Sequence, residues 1–170
     1  DHVTHLFNAQ TALHHRKPGV VGAGMVGDVY AELICDTFHI HTGLFELIAK
    51  CKGDKFVIIT DCTRAGGMPD GEYSLGGQPI FVKGIQCLLE DGTIAGSVLK
   101  LNEAVNNVAK HTSLPLWEVV AAASLNPANS IGMGDTKGSI AVGKDADMFI
   151  ADSEFNVKKT IIQGDIRYEA

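Results

Sequence analysis

The feature that most constrains the fold is a continuous apolar run, Phe56 to Ile59, which leads into Thr60 and Asp61. A strand with one buried face alternates apolar and polar residues, whereas a strand covered on both faces is apolar throughout. The run therefore predicts an inner strand of a parallel sheet in an α/β protein. Because catalytic and ligand-binding residues commonly lie at the carboxyl ends of such strands, Asp61 is a candidate functional residue.

A second strand is predicted over residues 2–7, where apolar and β-branched residues surround His5. Two-residue periodicity would place Val3, His5 and Phe7 on one face. A lone histidine at a strand end is more often structural than a ligand, and a carboxylate such as Asp61 can simply cap the next segment. One imidazole and one carboxylate at two such strand ends nevertheless favour a metal-assisted hydrolase.

The rest of the first sixty residues fits an alternation of strands and helices. Residues 31–36 form a third candidate strand that continues into residues 37–41, and residues 43–51 have the apolar spacing of an amphipathic helix. Residues 9–15 are predicted as loop or helix, and the glycine-rich residues 20–25 as a connection. The order strand, connection, strand, helix, strand is typical of a barrel or a doubly wound α/β fold.

Residues 64–96 change character, because glycine-containing turn signals recur there at short intervals. We predict a β-hairpin insertion in this segment, which would form a lid over the strand ends. Helices are then predicted at 98–110, 116–124 and 128–131, and strands at 146–152, 157–163 and 166–168. The expected division is a partial metal-dependent hydrolase barrel at 1–135, including the insertion, and a β unit at 136–170.

Composition argues against several classes of protein. With 45% hydrophobic and 20% charged residues the chain is expected to be globular, and a net charge of −6 without a basic run argues against nucleic acid as a partner. No apolar run reaches the length of a membrane span. Among the four cysteines there is no CxxC pair, and Cys35 and Cys62 are predicted to be buried apolar residues. Free thiols and the lack of a secretory signal lead us to expect a cytoplasmic protein.

Several segments together resemble the N-acetylglucosamine-6-phosphate deacetylases of the amidohydrolase superfamily. The specific segments are His5 to Ala9, His14 to Gly19, and Thr60-Asp61 with Gly71 to Gly77; the tail, Ser124 to Ala128 and Gly138 to Asp147, is similar to the wider superfamily. The resemblance implies the last three strands of a (β/α)8 TIM-type barrel, a lid hairpin and strands of a small β-sandwich. Because no residues here match the family's other metal ligands, and the chain starts abruptly, we expect it to be the later part of a longer protein.

The activity implied by the resemblance is metal-dependent hydrolysis of N-acetylglucosamine 6-phosphate to glucosamine 6-phosphate and acetate. By resemblance His5 binds the metal and Asp61 is the general base. The metal is a divalent ion, zinc or iron, because the ligand types do not choose between them. The partners implied are an amino-sugar phosphate as substrate and further copies of the chain in a dimer or tetramer.

The resemblance also assigns contacts with the substrate. Arg16 would bind the phosphate, for which a planar guanidinium is suited, and His39 would polarise the acetamide carbonyl. Further groups that would line the pocket belong to Asn8, Ala9, Ile94, Ala95 and Gly96. On the residues alone, a solvated loop charge is the better explanation of Arg16, His39 is explained by packing or hydrogen bonding, and residues 94–96 form an ordinary turn.

Two other functions stay open. The chain could belong to another amidohydrolase that acts on a cyclic or linear amide, although Arg16 and the Gly71 to Gly77 segment argue against it. It could also be a catalytically incomplete fragment that keeps phosphate-binding and assembly surfaces. Thr37 and Cys62 replace commoner family residues beside the expected pocket, and they bear on substrate preference.

Overall fold

A computed structural model describes all 170 residues, from Asp1 to Ala170. Its central sheet has three parallel strands in the order β1-β2-β3, at His2–Val3, Tyr30–Ile34 and Phe56–Ile59. Residues 56–58 of β3 are all buried, as the continuous apolar run predicts for a strand covered on both faces. The predicted α/β class is confirmed.

The first strand is shorter than predicted. It ends at Val3, and residues 4–9 form turns in which His5, Phe7 and Ala9 have φ angles of 38°, 82° and 53°. Left-handed backbone interrupts the two-residue alternation of a strand. The prediction that Val3, His5 and Phe7 share one strand face is therefore wrong.

Residues 20–25, predicted as a connection, lie instead in helix α1, Gly19–Val26. Glycine has a low helix propensity, but here it lets the helix approach the sheet closely. A Cβ atom on Gly24 would lie 3.1 Å from a methyl of Leu6 and 3.2 Å from a methyl of Val3. Packing against the sheet thus overrides local propensity.

Four further helices follow along the chain. They are α2 at Gly43–Lys52, α3 at Leu101–His111, α4 at Leu116–Ala122 and α5 at Leu125–Ser130. The ranges of the first three agree closely with prediction, but α5 starts earlier than residue 128. The reason is Pro127, which is tolerated in the first helical turn because its missing N–H has no partner to lose there. The main core joins this layer to the sheet through Leu33, Phe45, Ile48, Phe56, Val105, Val108 and Val119.

The segment predicted as a hairpin insertion holds an antiparallel sheet of three strands, β4 at Gly71–Leu75, β5 at Gln78–Lys83 and β6 at Gln86–Leu88. Gly76 and Gly77 form its first turn with φ angles of 58° and 84°, which residues with a Cβ rarely adopt. This sheet has its own small apolar cluster, which includes Ile80 and Val82.

A third sheet, also antiparallel, ends the chain. Its strands are β7 at Met148–Ala151, β8 at Val157–Ile162 and β9 at Asp165–Glu169. None of its residues is buried, in contrast to the parallel sheet. The last turn falls at Gln163 and Gly164, one position before the predicted turn. No helix of the chain combines the length and apolar character that crossing a membrane would need.

Candidate active site

The carboxyl ends of the three parallel strands meet at one edge of the sheet, which we call the carboxyl edge. His5 follows β1, Asp36 follows β2 and Asp61 follows β3. The register pairs Ile34 with Ile59, so β2 and β3 end level with each other, two residues before Asp36 and Asp61. Because neighbouring strands are about 4.8 Å apart, the ends of β1 and β3 lie about 10 Å apart with β2 between them.

The backbone is unusual at this edge. Seven non-glycine residues have positive φ, and five of them follow these strands: His5, Phe7, Ala9, Thr37 (φ 68°) and Asp61 (φ 47°). Each such residue costs on the order of 1–3 kcal/mol and persists only where surrounding structure fixes it. Strained residues of this kind typically cluster at active sites and ligand-binding sites, where side chains must be held in one orientation.

A polar side chain fixes each of these turns by donating to the backbone carbonyl directly before the ionisable residue. Gln10 Nε2 donates to the carbonyl of Thr4 over 2.9 Å, and its Oε1 accepts from the amide of Phe7 over 3.1 Å. At the end of β2, Asn107 Nδ2 on α3 donates to the carbonyl of Cys35 over 2.9 Å.

The third strand end is fixed in the same way. The hydroxyl of Ser97, a fully buried residue, donates to the carbonyl of Thr60 and accepts from the amide of Leu99 over 3.2 Å. The backbone of Ser97 also donates to the carbonyl of Asp61 over 2.9 Å. All three residues that precede His5, Asp36 and Asp61 are therefore held by a polar side chain.

His5 is half-buried, and its Nδ1 atom is fully buried without a hydrogen-bond partner. It is the sole side-chain polar atom of the chain in that condition. A buried, unpaired nitrogen costs free energy, so it is tolerated where it serves a ligand or a further group. The amide of Asn8 donates to the carbonyl of His5 over 2.9 Å, which places Asn8 and the exposed Ala9 in the same turn.

Asp36 and His39 form a buried pair at the end of β2. Their side chains are 2% and 4% exposed, and Nδ1 of His39 lies 2.6 Å from Oδ2 of Asp36. The other carboxylate oxygen accepts from the amides of Phe38 and His39 over 2.9 and 2.8 Å. Burial raises the pKa of the Asp36 carboxyl, but the hydrogen bonds from His39 and Phe38 outweigh it, and the net pKa is lowered.

Asp61 is exposed and lies beside the segment that follows the hairpin sheet. A Cβ atom on Gly96 would approach Oδ2 of Asp61 to 4.0 Å and the Thr63 methyl to 2.8 Å, so only glycine fits there. Ala95 is buried, and its amide donates to the carbonyl of Cys87 over 2.9 Å. Ile94 is more exposed, at 41%. The structure thus brings Asp61 and Gly96 together, with the other two residues next to them.

Arg16 lies elsewhere, in an exposed turn before α1. Its guanidinium is 2.7 Å from Nε2 of His15, and no carboxylate is within ion-pair distance. The turn borders an open cleft, whose other lining residues include Thr11, Lys17 and Gly19. No hydrogen bond or ion pair joins Arg16 to His5 or Asp61, and neither of those residues lines its cleft.

Comparison with known proteins now decides the family. Residues 19–167 match the family described as "Amidohydrolase family". This chain belongs to the amidohydrolase family. N-acetylglucosamine-6-phosphate deacetylase from Bacillus subtilis is 43% identical over 169 residues, which cover 98% of this chain and 43% of that protein. The chain therefore spans less than half the length of that relative.

Two further comparisons extend this result to the fold and to a shorter relative. The crystal structure of N-acetylglucosamine-6-phosphate deacetylase from Pasteurella multocida matches with a TM-score of 0.94 and 34% identity, over 98% of this chain and 44% of that one. A putative N-acetylgalactosamine-6-phosphate deacetylase from Escherichia coli K12 is 38% identical over 95% of this chain and 98% of its own length.

Amidohydrolases are generally metal-dependent, and the carboxyl edge offers some of the donors that a metal needs. The unpaired nitrogen of His5 fits an imidazole ligand, and the Asp61 carboxylate is an oxygen donor. A catalytic zinc usually takes three protein ligands, and no group of three or more His, Cys, Asp or Glu side chains converges in this chain. The residues present fit part of a metal site.

Several residues at the edge were not predicted from sequence. Asp36, Gln10, Ser97 and Asn107 are polar residues whose roles appear only when the chain folds, because each acts on a strand end distant in sequence or on a tight turn. The burial predicted for Cys62 is wrong. Cys62 follows β3 rather than lying in it, and it is exposed, whereas Cys35 is fully buried as predicted.

Proposed function

We propose that the complete protein hydrolyses the acetamide of N-acetylglucosamine 6-phosphate to glucosamine 6-phosphate and acetate. The observation that carries the proposal is the carboxyl edge, where the unpaired imidazole of His5 and the exposed carboxylate of Asp61 flank the Asp36–His39 pair. The B. subtilis and P. multocida relatives, each named as this deacetylase, support the substrate.

The architecture that goes with this proposal is the one that the sequence predicts. Strands β1–β3 would be the last three strands of a (β/α)8 barrel, with residues 1–135 in that unit and residues 136–170 in a small β-sandwich. The parallel order of β1–β3, with helices packed on them, supports the first part. The sheet β7–β9, which has no fully buried residue, supports the second, because a sandwich strand needs a facing sheet.

In this proposal Asp61 takes the proton from the attacking water and delivers it to the leaving amine. The substrate would lie across the edge between the ends of β1 and β3, bordered by Asn8 and Ala9 on one side and by residues 94–96 on the other. His39 would hydrogen-bond the acetamide from the middle. His5 would hold a divalent metal, zinc or iron, which polarises the carbonyl when bound.

Arg16 would bind the 6-phosphate, because its guanidinium has no carboxylate partner and sits beside the amino end of α1. Arg16 makes no hydrogen bond or ion pair with the edge within one chain, and we propose a shared site in a homo-oligomer, a dimer or tetramer, in which the turn of one copy serves the pocket of another. Unpaired cysteines, two of them buried, support a cytoplasmic location.

A second candidate substrate is N-acetylgalactosamine 6-phosphate, favoured by the E. coli K12 relative that matches this chain over almost its whole length. The two sugars differ only in the configuration at C4. The groups that act on the acetamide would be the same for both, so the choice would depend on pocket residues away from Asp61.

An acetate-release assay on the complete protein tests these proposals. The panel contains both 6-phosphates, unphosphorylated N-acetylglucosamine and a cyclic amide, each measured before and after chelation and after zinc or iron is restored. We expect the highest kcat/KM for N-acetylglucosamine 6-phosphate and loss of activity on chelation. A preference for the galactosamine sugar would select the second candidate, and hydrolysis of the cyclic amide alone would refute both.

A further inference from the structure

The strongest unassigned feature is the carboxylate of Asp36. It is not exposed to substrate, since its side chain is 2% exposed, yet all of its hydrogen bonds lead to the turn that carries His39. We infer that Asp36 is a positioning residue: it holds the proton on Nδ1 of His39 and leaves Nε2 as the ring atom that faces the site. The inference rests on the proposed function, in which His39 contacts substrate.

The geometry defines which ring nitrogen is free. A carboxylate 2.6 Å from Nδ1 can only accept there, so Nδ1 carries a hydrogen whether the ring is neutral or charged. Nε2 makes no hydrogen bond, and it is not among the fully buried unpaired atoms, so the 4% of the side chain that is exposed includes Nε2. The neutral ring therefore presents a lone pair at this exposed atom, and the charged ring presents a donor there.

The backbone explains why this pair is rigid. Thr37, between the two partners, has a φ of 68°, which a β-branched residue rarely adopts. The amides of Phe38 and His39 both donate to Oδ1 of Asp36, which stabilises that turn while Oδ2 stays free for the ring. Asn107 holds the carbonyl of Cys35 directly before the turn. The imidazole is thus fixed by one carboxylate, a strained turn and the end of β2.

Asp36→Asn tests the role without removing the turn. The asparagine oxygen can still accept both backbone amides, which leaves its NH₂ group facing the ring. An NH₂ group can only donate, so Nδ1 must become an acceptor and the proton of the neutral ring moves to Nε2. The variant therefore reverses the hydrogen-bonding character of the atom that faces the site.

The measurement is the tautomer of His39, read from long-range ¹H–¹⁵N spectra of ¹⁵N-labelled protein at alkaline pH, where imidazoles are neutral. We expect the Nδ1–H tautomer in the wild type and the Nε2–H tautomer in Asp36→Asn. An Nε2–H tautomer in the wild type overturns the inference without any variant. An unchanged Nδ1–H tautomer in Asp36→Asn overturns it as well.

A matched control is available in the C-terminal sheet. Asp152 accepts the amides of Glu154 and Asn156 over 3.0 and 2.9 Å in a similar turn, but it touches no histidine. Asp152→Asn should leave the His39 tautomer and the kinetics of deacetylation as in the wild type. A change in either would mean that general loss of stability, not the contact with the ring, produces the effect.

Kinetics provide the second readout. If N-acetylglucosamine 6-phosphate is the substrate, Asp36→Asn should lower kcat by about 10²- to 10⁴-fold with little change in KM, because a wrong tautomer removes proton transfer but not the pocket. A loss confined to KM would contradict a role through the ring. Failure of the wild type to release acetate would defeat the proposed function alone, since the tautomer measurement still decides the role of Asp36.

Discussion

The parallel sheet and the C-terminal sheet are stabilised in different ways. Strands β2 and β3 are largely buried, and the turns that follow them are held by partly buried hydrogen bonds. Strands β7–β9 have no buried residue, and their charged side chains form surface ion pairs, such as Lys159 with Glu169 at 2.7 Å. Exposed pairs of this kind typically contribute only about 0–1 kcal/mol each.

Similar turns in the two regions make the difference concrete. Asp36 and Asp152 each accept two backbone amides in a tight turn. At Asp152 the remaining partners are Asn156 and Lys158 in solvent, whereas at Asp36 the remaining partner is one buried imidazole. A carboxylate that accepts two amides is a common feature of tight turns. At Asp36, burial also lets that carboxylate orient an imidazole, at a place where the surrounding structure tolerates strained backbone.

The largest expected effect is on kcat, and it compares a substitution at the carboxyl end of β3 with one before its amino end. Asp61→Asn removes the proposed base at the carboxyl end of β3 and should lower kcat for acetate release by about 10²- to 10⁴-fold. Asp54→Asn, just before the amino end of β3, is the matched control and should leave kcat within a factor of a few. Steady-state kinetics and metal analysis of both variants check this. Activity of Asp61→Asn close to that of the wild type would rule out the role.

The second effect tests burial directly. Phe45→Ala removes a fully buried side chain from the main core and should lower the free energy of unfolding by about 3–5 kcal/mol. Phe149→Ala, in β7, removes a side chain that is 48% exposed and should cost about 1 kcal/mol or less. Urea unfolding followed by circular dichroism measures both. Equal losses would show that the C-terminal sheet is packed more tightly than its exposure indicates.

The third effect concerns binding rather than stability. Arg16→Ala should raise KM for N-acetylglucosamine 6-phosphate by about 10- to 150-fold, which corresponds to the 1.5–3 kcal/mol of a charge-assisted hydrogen bond. KM for the unphosphorylated sugar should hardly change. Arg167→Ala, another exposed arginine on β9, is the control and should affect neither value. An equal rise in KM for both sugars would reject phosphate recognition by Arg16.

Sequence alone predicts the parts of this fold that depend on local pattern. The run Phe56 to Ile59 identifies a strand buried on both faces, and paired glycines locate the hairpin turn. It fails where contacts distant in sequence decide. Helix α1 forms despite its glycines, one of which, Gly24, packs on Leu6 and Val3, and β1 stops early because left-handed residues turn the chain at His5.

The same limit applies to the candidate site. His5 is recognisable because it lies within an apolar and β-branched run, and Asp61 because it follows one; Asp61 does lie beside Gly96 in the structure. Ser97 and Asn107 carry no such signal, since their partners, the carbonyls of Thr60 and Cys35, lie 37 and 72 positions earlier in the chain. The Asp36–His39 spacing is visible in the sequence, but only burial of both side chains makes it a candidate pair.

The smallest expected effect is on acid stability, and it compares the two regions once more. Hydrogen bonds from Lys50 and from Ser113 lower the pKa of Glu46 on α2 to about 2, and hydrogen bonds from Asn156 lower that of Asp152 to about 2. A carboxyl whose pKa is depressed on folding stabilises the folded state above its ordinary pKa, and that contribution is lost as pH falls towards the lowered value.

Stability should therefore decline between about pH 4.5 and pH 2, where the unfolded chain binds more protons than the folded one. Glu46→Gln removes one such group and should make this decline shallower. The pH dependence of stability near neutral pH should stay close to that of the wild type. Unfolding midpoints in urea across this pH range test it, with Asp152→Asn measured in parallel. Glu46 joins α2 to the segment after α3, whereas Asp152 acts within the C-terminal sheet. If only Glu46→Gln makes the dependence of stability on pH shallower, the C-terminal sheet opens independently of the buried core.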